Sequence, residues 1–146
     1  MDFRTCKMKD YVKPIKVDHN LLDSLVNSSS KKFQSQKRLD LDDTTAGSKI
    51  SLAYDALREL LEALAISKGY KIYNHECYTS FLKEVMKESS LGDKFDSFRR
   101  IRNDINYYGK DISAEDSKHI INDMIAFVEK LKIKFFKYSF EKWQNP

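Results

Sequence analysis

Hydrophobic side chains recur along this chain at three- and four-residue steps, and each such run marks a helix. Leu21, Leu22, Leu25 and Val26 share one side of a helix that can begin after Asp18, a fair N-cap. Its pattern weakens through Ser28, Ser29 and Ser30 towards Phe33 and Arg38. The polar patch "DLDDTTAGS" serves as the following turn, or as the first turn of the next helix. In "SKISLAYDALRELLEALAISKGY", Leu52, Ala53, Ala56, Leu57, Leu60, Leu61 and Leu64 form a wide apolar stripe, and Gly69 stands where a C′ glycine should. After the turn "GYKIYNHE", the run "CYTSFLKEVMKES" predicts a shorter third helix that stops before Gly92. "DKFDSFRRIRNDINYYG" predicts a fourth, ended by Gly109. The last helix opens on Ser113 and Asp116, at capping-box spacing with Asp in place of Glu or Gln. It runs through Ile120, Ile121, Met124, Phe127, Val128 and Leu131 and on towards Trp143. Residues 1–17 lack this period and contain Pro14, so an irregular lead-in is expected ahead of a single domain at 18–146. Long helices and short turns predict an all-α antiparallel bundle of four to five helices.

Composition strengthens that picture. Four glycines and two prolines in 146 residues leave few helix breakers, and 41% hydrophobic against 33% charged residues fits a folded domain. No apolar run approaches the roughly 20 residues of a membrane span, and "MDFRTCKMKDYVK" lacks the apolar stretch of a secretory signal. A cytoplasmic protein with no membrane partner is expected. Cys6 and Cys77 are too few for a disulfide framework. A pairing of the two stays open, and reduced thiols are the simpler account. No CxxC or Cys/His cluster points to zinc, and no glycine-rich loop points to a bound phosphate, so neither metal nor cofactor is expected. The net charge of +4 is compatible with nucleic acid, but solvated Lys/Glu helix faces produce the same balance.

Candidate chemistry concentrates on the fourth helix. At 100° per residue, Phe98, Ile101, Ile105 and Tyr108 fall together, with Phe95 towards one edge, as a core side. Arg99, Arg102, Asn103 and Asn106 fall on the neighbouring face, while Arg100 and Asp104 point to solvent. Arginine offers a fixed fork of donors suited to phosphate, and asparagine adds a donor and an acceptor that can orient a base edge or a water. Against this stands the plainer reading, in which Arg102 pairs with a carboxylate and the asparagines face water.

From about Asp18 to about Leu131 the chain resembles HEPN-domain proteins, small prokaryotic helical bundles. "SLAYDALRELLEALAISKGYKIYNHECYTSFL" is similar to the family's second helix, Gly-Tyr turn, histidine and third helix. "RNDINYYG" resembles the signature of its fourth helix, an arginine, a polar residue and, a few positions on, a histidine. The resemblance implies a homodimer whose two copies form one composite site for metal-independent RNA cleavage. Arg102 takes the place of the signature arginine, Asn103 that of its polar neighbour, and Tyr107 stands where histidine is expected. Histidine exchanges protons near neutral pH; tyrosine, with an unperturbed pKa near 10, is a poor general base there. The resemblance also implies a partner, since many such proteins pair with a small nucleotidyltransferase as toxin and antitoxin.

The remaining histidines offer no replacement. His19 and His119 have no motif around them. His75, in "YNHECY", is expected to cap the third helix or to bond to the second. The last helix interleaves Lys130, Lys132, Lys134 and Lys137 with Ile133, Phe135, Phe136, Tyr138, Phe140 and Trp143. That pattern suits RNA by phosphate contact and stacking, but packing or dimerisation accounts better for so many aromatics. The leading expectation is a HEPN-like dimer that binds RNA or a nucleotide through Arg99, Arg102, Asn103 and Asn106, with weak or no ribonuclease activity. The alternatives are an active ribonuclease toxin, in which Arg102, Asn106 and Tyr107 suffice, and a non-catalytic structural or adaptor dimer.

Overall fold

Capping side chains set three of the helix starts in this computed structural model, which describes residues 1–136. Helix α2, His19–Arg38, opens with the Asp18 carboxylate accepting from the N–H groups of Asn20 and Leu21. The buried Ser29 hydroxyl in its middle donates to the Ala56 carbonyl at 2.6 Å, so the serines that dilute the apolar pattern serve as a close contact. Helix α3, Ala46–Ser67, follows, and its buried Lys49 ammonium donates to the Gln36 and Leu39 carbonyls at the end of α2. Gly69, at φ +86°, reverses the chain beyond α3.

Residues 1–17 are not an irregular lead-in. Helix α1, Phe3–Met8, is capped by Asp2, and strand β1, Val12–Pro14, pairs antiparallel with β2, Tyr70–Ile72. Phe3, Cys6 and Val12 are buried, so the segment is built into the core. Pro14 ends its strand, where a missing N–H is tolerated.

The third predicted helix is shorter than its sequence pattern. Helix α4, Glu76–Ser80, passes into a π-helical turn, Phe81–Val85, and α5 then runs from Ser89 to Tyr108. Gly92 therefore lies inside α5 instead of stopping a helix. A Cβ there would stand 2.6 Å from Lys83 Cγ and 3.1 Å from the Thr79 carbonyl, so glycine is required by the close approach of two elements. Gly109, at φ +63°, ends α5 as expected. In α6, Ala114–Phe135, the Ser113 hydroxyl accepts from the Asp116 N–H at 3.1 Å.

Six α-helices and two short strands among the described residues make a mostly α-helical bundle. Helix α3 is its axis, with α2, α5, α6 and β2 packed around it. Ala53, Ala56, Leu57, Leu60 and Leu61 are among its fully or nearly fully buried residues. The helices number more than the four to five expected because α1 joins them. No helix among the described residues is long and apolar enough to cross a membrane.

Cys6 on α1 and Cys77 on α4 are joined by a disulfide, with Cα atoms 6.1 Å apart and both residues fully buried. This corrects the expectation of reduced thiols. Nothing in the local pattern around either cysteine signals the pairing; the packing of α1 on α4 creates it. Near the end of α6, Lys132 and Phe136 are buried and Ile133 is exposed. Lys137, Tyr138, Phe140, Trp143 and the predicted continuation of the helix lie outside the described residues.

Candidate functional site

Of the four polar residues expected to form one face of α5, Arg99 and Asn106 are engaged by partners outside the four. Arg99 donates through Nε and Nη2 to Asp96 Oδ1, at 3.1 and 2.9 Å. The other Asp96 oxygen takes the exposed Arg100, and the Thr79 hydroxyl donates to the same carboxylate at 3.3 Å. Asn106 Oδ1 accepts from the Ser51 hydroxyl of α3 at 2.9 Å. Only Arg102 and Asn103 touch one another, with Nη1 donating to Asn103 Oδ1 at 3.3 Å.

Arg102 has a distinct setting. Its guanidinium carbon lies 5.1 Å from the ring centre of Tyr54 on α3 and 5.5 Å from that of Tyr107, so two aromatic rings flank it. Nη1 also donates to the Tyr107 hydroxyl at 3.3 Å. Nε is buried without a hydrogen-bond partner, and no carboxylate among the described residues pairs with this side chain. A buried donor left unmet costs about 1–3 kcal/mol unless an acceptor arrives, and an arginine fork suits a phosphate oxygen.

Beneath Arg102 lies a network that joins three elements. The buried Tyr54 hydroxyl stands 3.0 Å from His75 Nδ1, which fulfils one of the two roles expected of this histidine. The other is absent: His75 occupies the N-cap position of α4 but makes no side-chain cap bond. Burial, reinforced by the positive charges of Arg58, Arg102 and Arg99, lowers its pKa to about 4. Burial also pushes the Tyr54 hydroxyl well above the usual tyrosine range. Arg58 donates to Glu62 at 3.0 Å, and Lys71 of β2 pairs with the same carboxylate. These cations hold the Glu62 carboxyl below its ordinary range against the opposing effect of burial.

Periodicity on α5 did not reveal Tyr54, Arg58 or Glu62. They stand at i, i+4 and i+8 on α3, a polar stripe on an otherwise leucine-rich helix, and that spacing was the available signal. Two placements on α5 also differ from expectation. Tyr108, assigned to the core side, is 81% exposed, and Asp104, assigned to solvent, is half-buried. At the Asn106 end a cleft of about 470 Å³ opens between α3 and the α5–α6 turn, with Ser48, Ser51, Asn106 and Lys110 among its lining.

The depressed His75 pKa predicts a pH dependence. A histidine that titrates near 4 when folded and near 6.5 when unfolded leaves the unfolded chain binding the extra proton between those values. Its contribution to stability is thus complete above pH 6.5 and is lost as pH falls towards 4. After discounting for partial exposure, about 1–2 kcal/mol should disappear across this window. Urea unfolding of the native chain and of His75→Gln at pH 4, 5, 6 and 7 measures it. Parallel stability curves for the two proteins would rule the account out.

Compared with known proteins, the chain matches no family model, no curated protein and no solved structure. Fold and site together define its class: a mostly α-helical bundle presenting an arginine flanked by two tyrosine rings.

Proposed function

We propose that this chain is a HEPN-like protein that binds RNA or a nucleotide through the Arg102 face of α5, acts as a homodimer, and has weak or no ribonuclease activity. The observation that carries the reading is Arg102 itself: flanked by Tyr54 and Tyr107, free of any described carboxylate, and holding a buried Nε without an acceptor. A phosphate oxygen satisfies that donor, and the Tyr107 ring, 68% exposed, offers a surface on which a base can stack. The cleft beside Asn106 has the volume of a small-ligand site.

Weak or absent cleavage follows from the acid–base groups at hand. Tyrosine replaces the signature histidine at 107, and His75, engaged by Tyr54, is unprotonated at neutral pH. The dimer and a nucleotidyltransferase partner belong to the same proposal and rest on the sequence resemblance.

Fluorescence anisotropy of a labelled single-stranded RNA at low salt tests the proposal. Arg102→Ala should weaken binding by about 10-fold or more, the scale of one charged hydrogen bond, and added salt should weaken it further. Metal-independent cleavage by the native chain that Arg102→Ala abolishes would replace this reading with an active ribonuclease. Absence of RNA and nucleotide binding would leave a structural dimer.

A further inference from the structure

The cationic chemistry around Arg102 does not end at α5. Arg58 lies one turn along α3 from Tyr54 and pairs with Glu62, Glu62 also holds Lys71, and Lys71 stands directly opposite Lys13 in the β1–β2 ribbon. The step from Tyr54 to Arg58 is one of helical spacing, and the others are named contacts or a register pair. Cations therefore alternate with Tyr54 and Glu62 from α5 to the ribbon, with Arg58 partly buried. Glu62, the carboxylate within the run, is already engaged by two cations. The α3 portion alone, from Tyr54 to Glu62, spans about 12 Å at 1.5 Å per residue. A mononucleotide cannot reach both ends.

An exposed tyrosine with a cation at its ring stands at each end. Tyr107 is 68% exposed with Arg102 5.5 Å from its ring centre; Tyr73 is 60% exposed with Lys13 Nζ 5.9 Å from its own. The Tyr73 N–H donates to the Tyr11 carbonyl at 2.7 Å, which extends the ribbon by one residue. Tyr73 also lies two residues before His75, the residue bonded to Tyr54 under Arg102. By contrast, Tyr54 and Tyr78 are fully buried. Exposed rings joined by a line of cations are what a flexible polyanion with stacking faces requires.

We infer that the ligand is a single-stranded polynucleotide, held along a track from Tyr107 and Arg102, past Arg58, to Lys13 and Tyr73 on the β1–β2 ribbon. The inference rests on the nucleic-acid reading of the Arg102 face and adds both the ligand's length and a second contact surface.

The test compares uridine monophosphate with a nine-nucleotide oligouridylate on the full chain at low salt. The native chain should bind the nine-mer at least 10-fold more tightly. Lys13→Ala/Tyr73→Ala should lower nine-mer affinity about 10-fold or more, the scale of one lost stack, and leave the monophosphate unaffected. Lys13→Ala alone should flatten the salt dependence of nine-mer binding by about 0.7 in log–log slope, as for one phosphate contact on a single strand. Both residues are exposed, so the variants should fold like the native chain. Equal affinity for monophosphate and nine-mer, or a double variant that binds the nine-mer as the native chain does, would overturn the track while sparing the Arg102 site. Equal binding of a polyglutamate of matched charge would replace it with a surface for acidic peptides. Binding of neither uridine ligand would overturn the underlying reading as well.

Discussion

Reduction of the Cys6–Cys77 disulfide is expected to lower the stability of this protein by about 4 kcal/mol, the chain-entropy value for a closed loop of this size. The bridged cysteines are 71 residues apart, so the reduced unfolded chain regains the freedom of a long loop. For a domain near 150 residues, that loss corresponds to a fall in melting temperature on the order of 10 °C. The effect arises mainly in the unfolded state, because native contacts hold α1 whether or not the bond is present. The Phe3 N–H donates to Glu84 at 2.8 Å, and the Phe3 ring meets Tyr70 edge-on at 5.2 Å. Denaturant unfolding with and without a phosphine reductant, repeated on Cys6→Ala/Cys77→Ala, provides the measurement. A difference below about 1 kcal/mol would mean that the bond contributes none of the loop-closure entropy assigned to it.

The same N-terminal segment marks where local sequence pattern ceased to be informative. Asp18, Ser113 and Gly109 were legible because a cap or a terminal glycine acts through hydrogen bonds and φ angles within a few residues. The strand at Val12–Pro14 exists only because Tyr70–Ile72 lies beside it, and three residues hold too little period to announce a strand. Gly92 reads as a helix stop yet lies inside α5, for a related reason. Its need for glycine comes from Lys83 and Thr79 across a helix contact, not from a turn. Tyr108 lies at the predicted angle on α5, yet the angle does not tell whether a neighbour covers the last turn, and none buries this ring.

The site divides along the same line. Arg102 and Asn103 were legible as neighbours on one helix. The split of Arg99 towards Asp96 was visible in principle from their three-residue spacing. The contribution of α3 was obscured because Tyr54 and Arg58 sit among leucines, where apolar content dominates any reading of the helix. Arg102 lies over Tyr54 because α5 crosses α3 at that point, and this is a property of packing.

That dependence on packing makes Phe95 the residue whose truncation should most disturb fold and site together. Phe95 is fully buried, stacked on Tyr54 with ring centres 5.9 Å apart and set edge-on to Tyr78 at 5.8 Å. Phe95→Ala removes a fully buried ring and leaves a cavity, at a cost of about 3–5 kcal/mol. Phe95→Leu refills most of the volume and should cost much less. The site reports the same change, because Tyr54 carries both the hydrogen bond to His75 and the ring under Arg102. Once its support is gone, water reaches the imidazole, and the His75 pKa should rise from about 4 towards its ordinary value near 6.5. Urea unfolding reads the first effect and NMR titration of the His75 ring the second. A stability loss under about 1 kcal/mol would remove Phe95 from the centre of the core. A large stability loss with the His75 titration unchanged would show that Tyr54 and His75 hold their geometry without it.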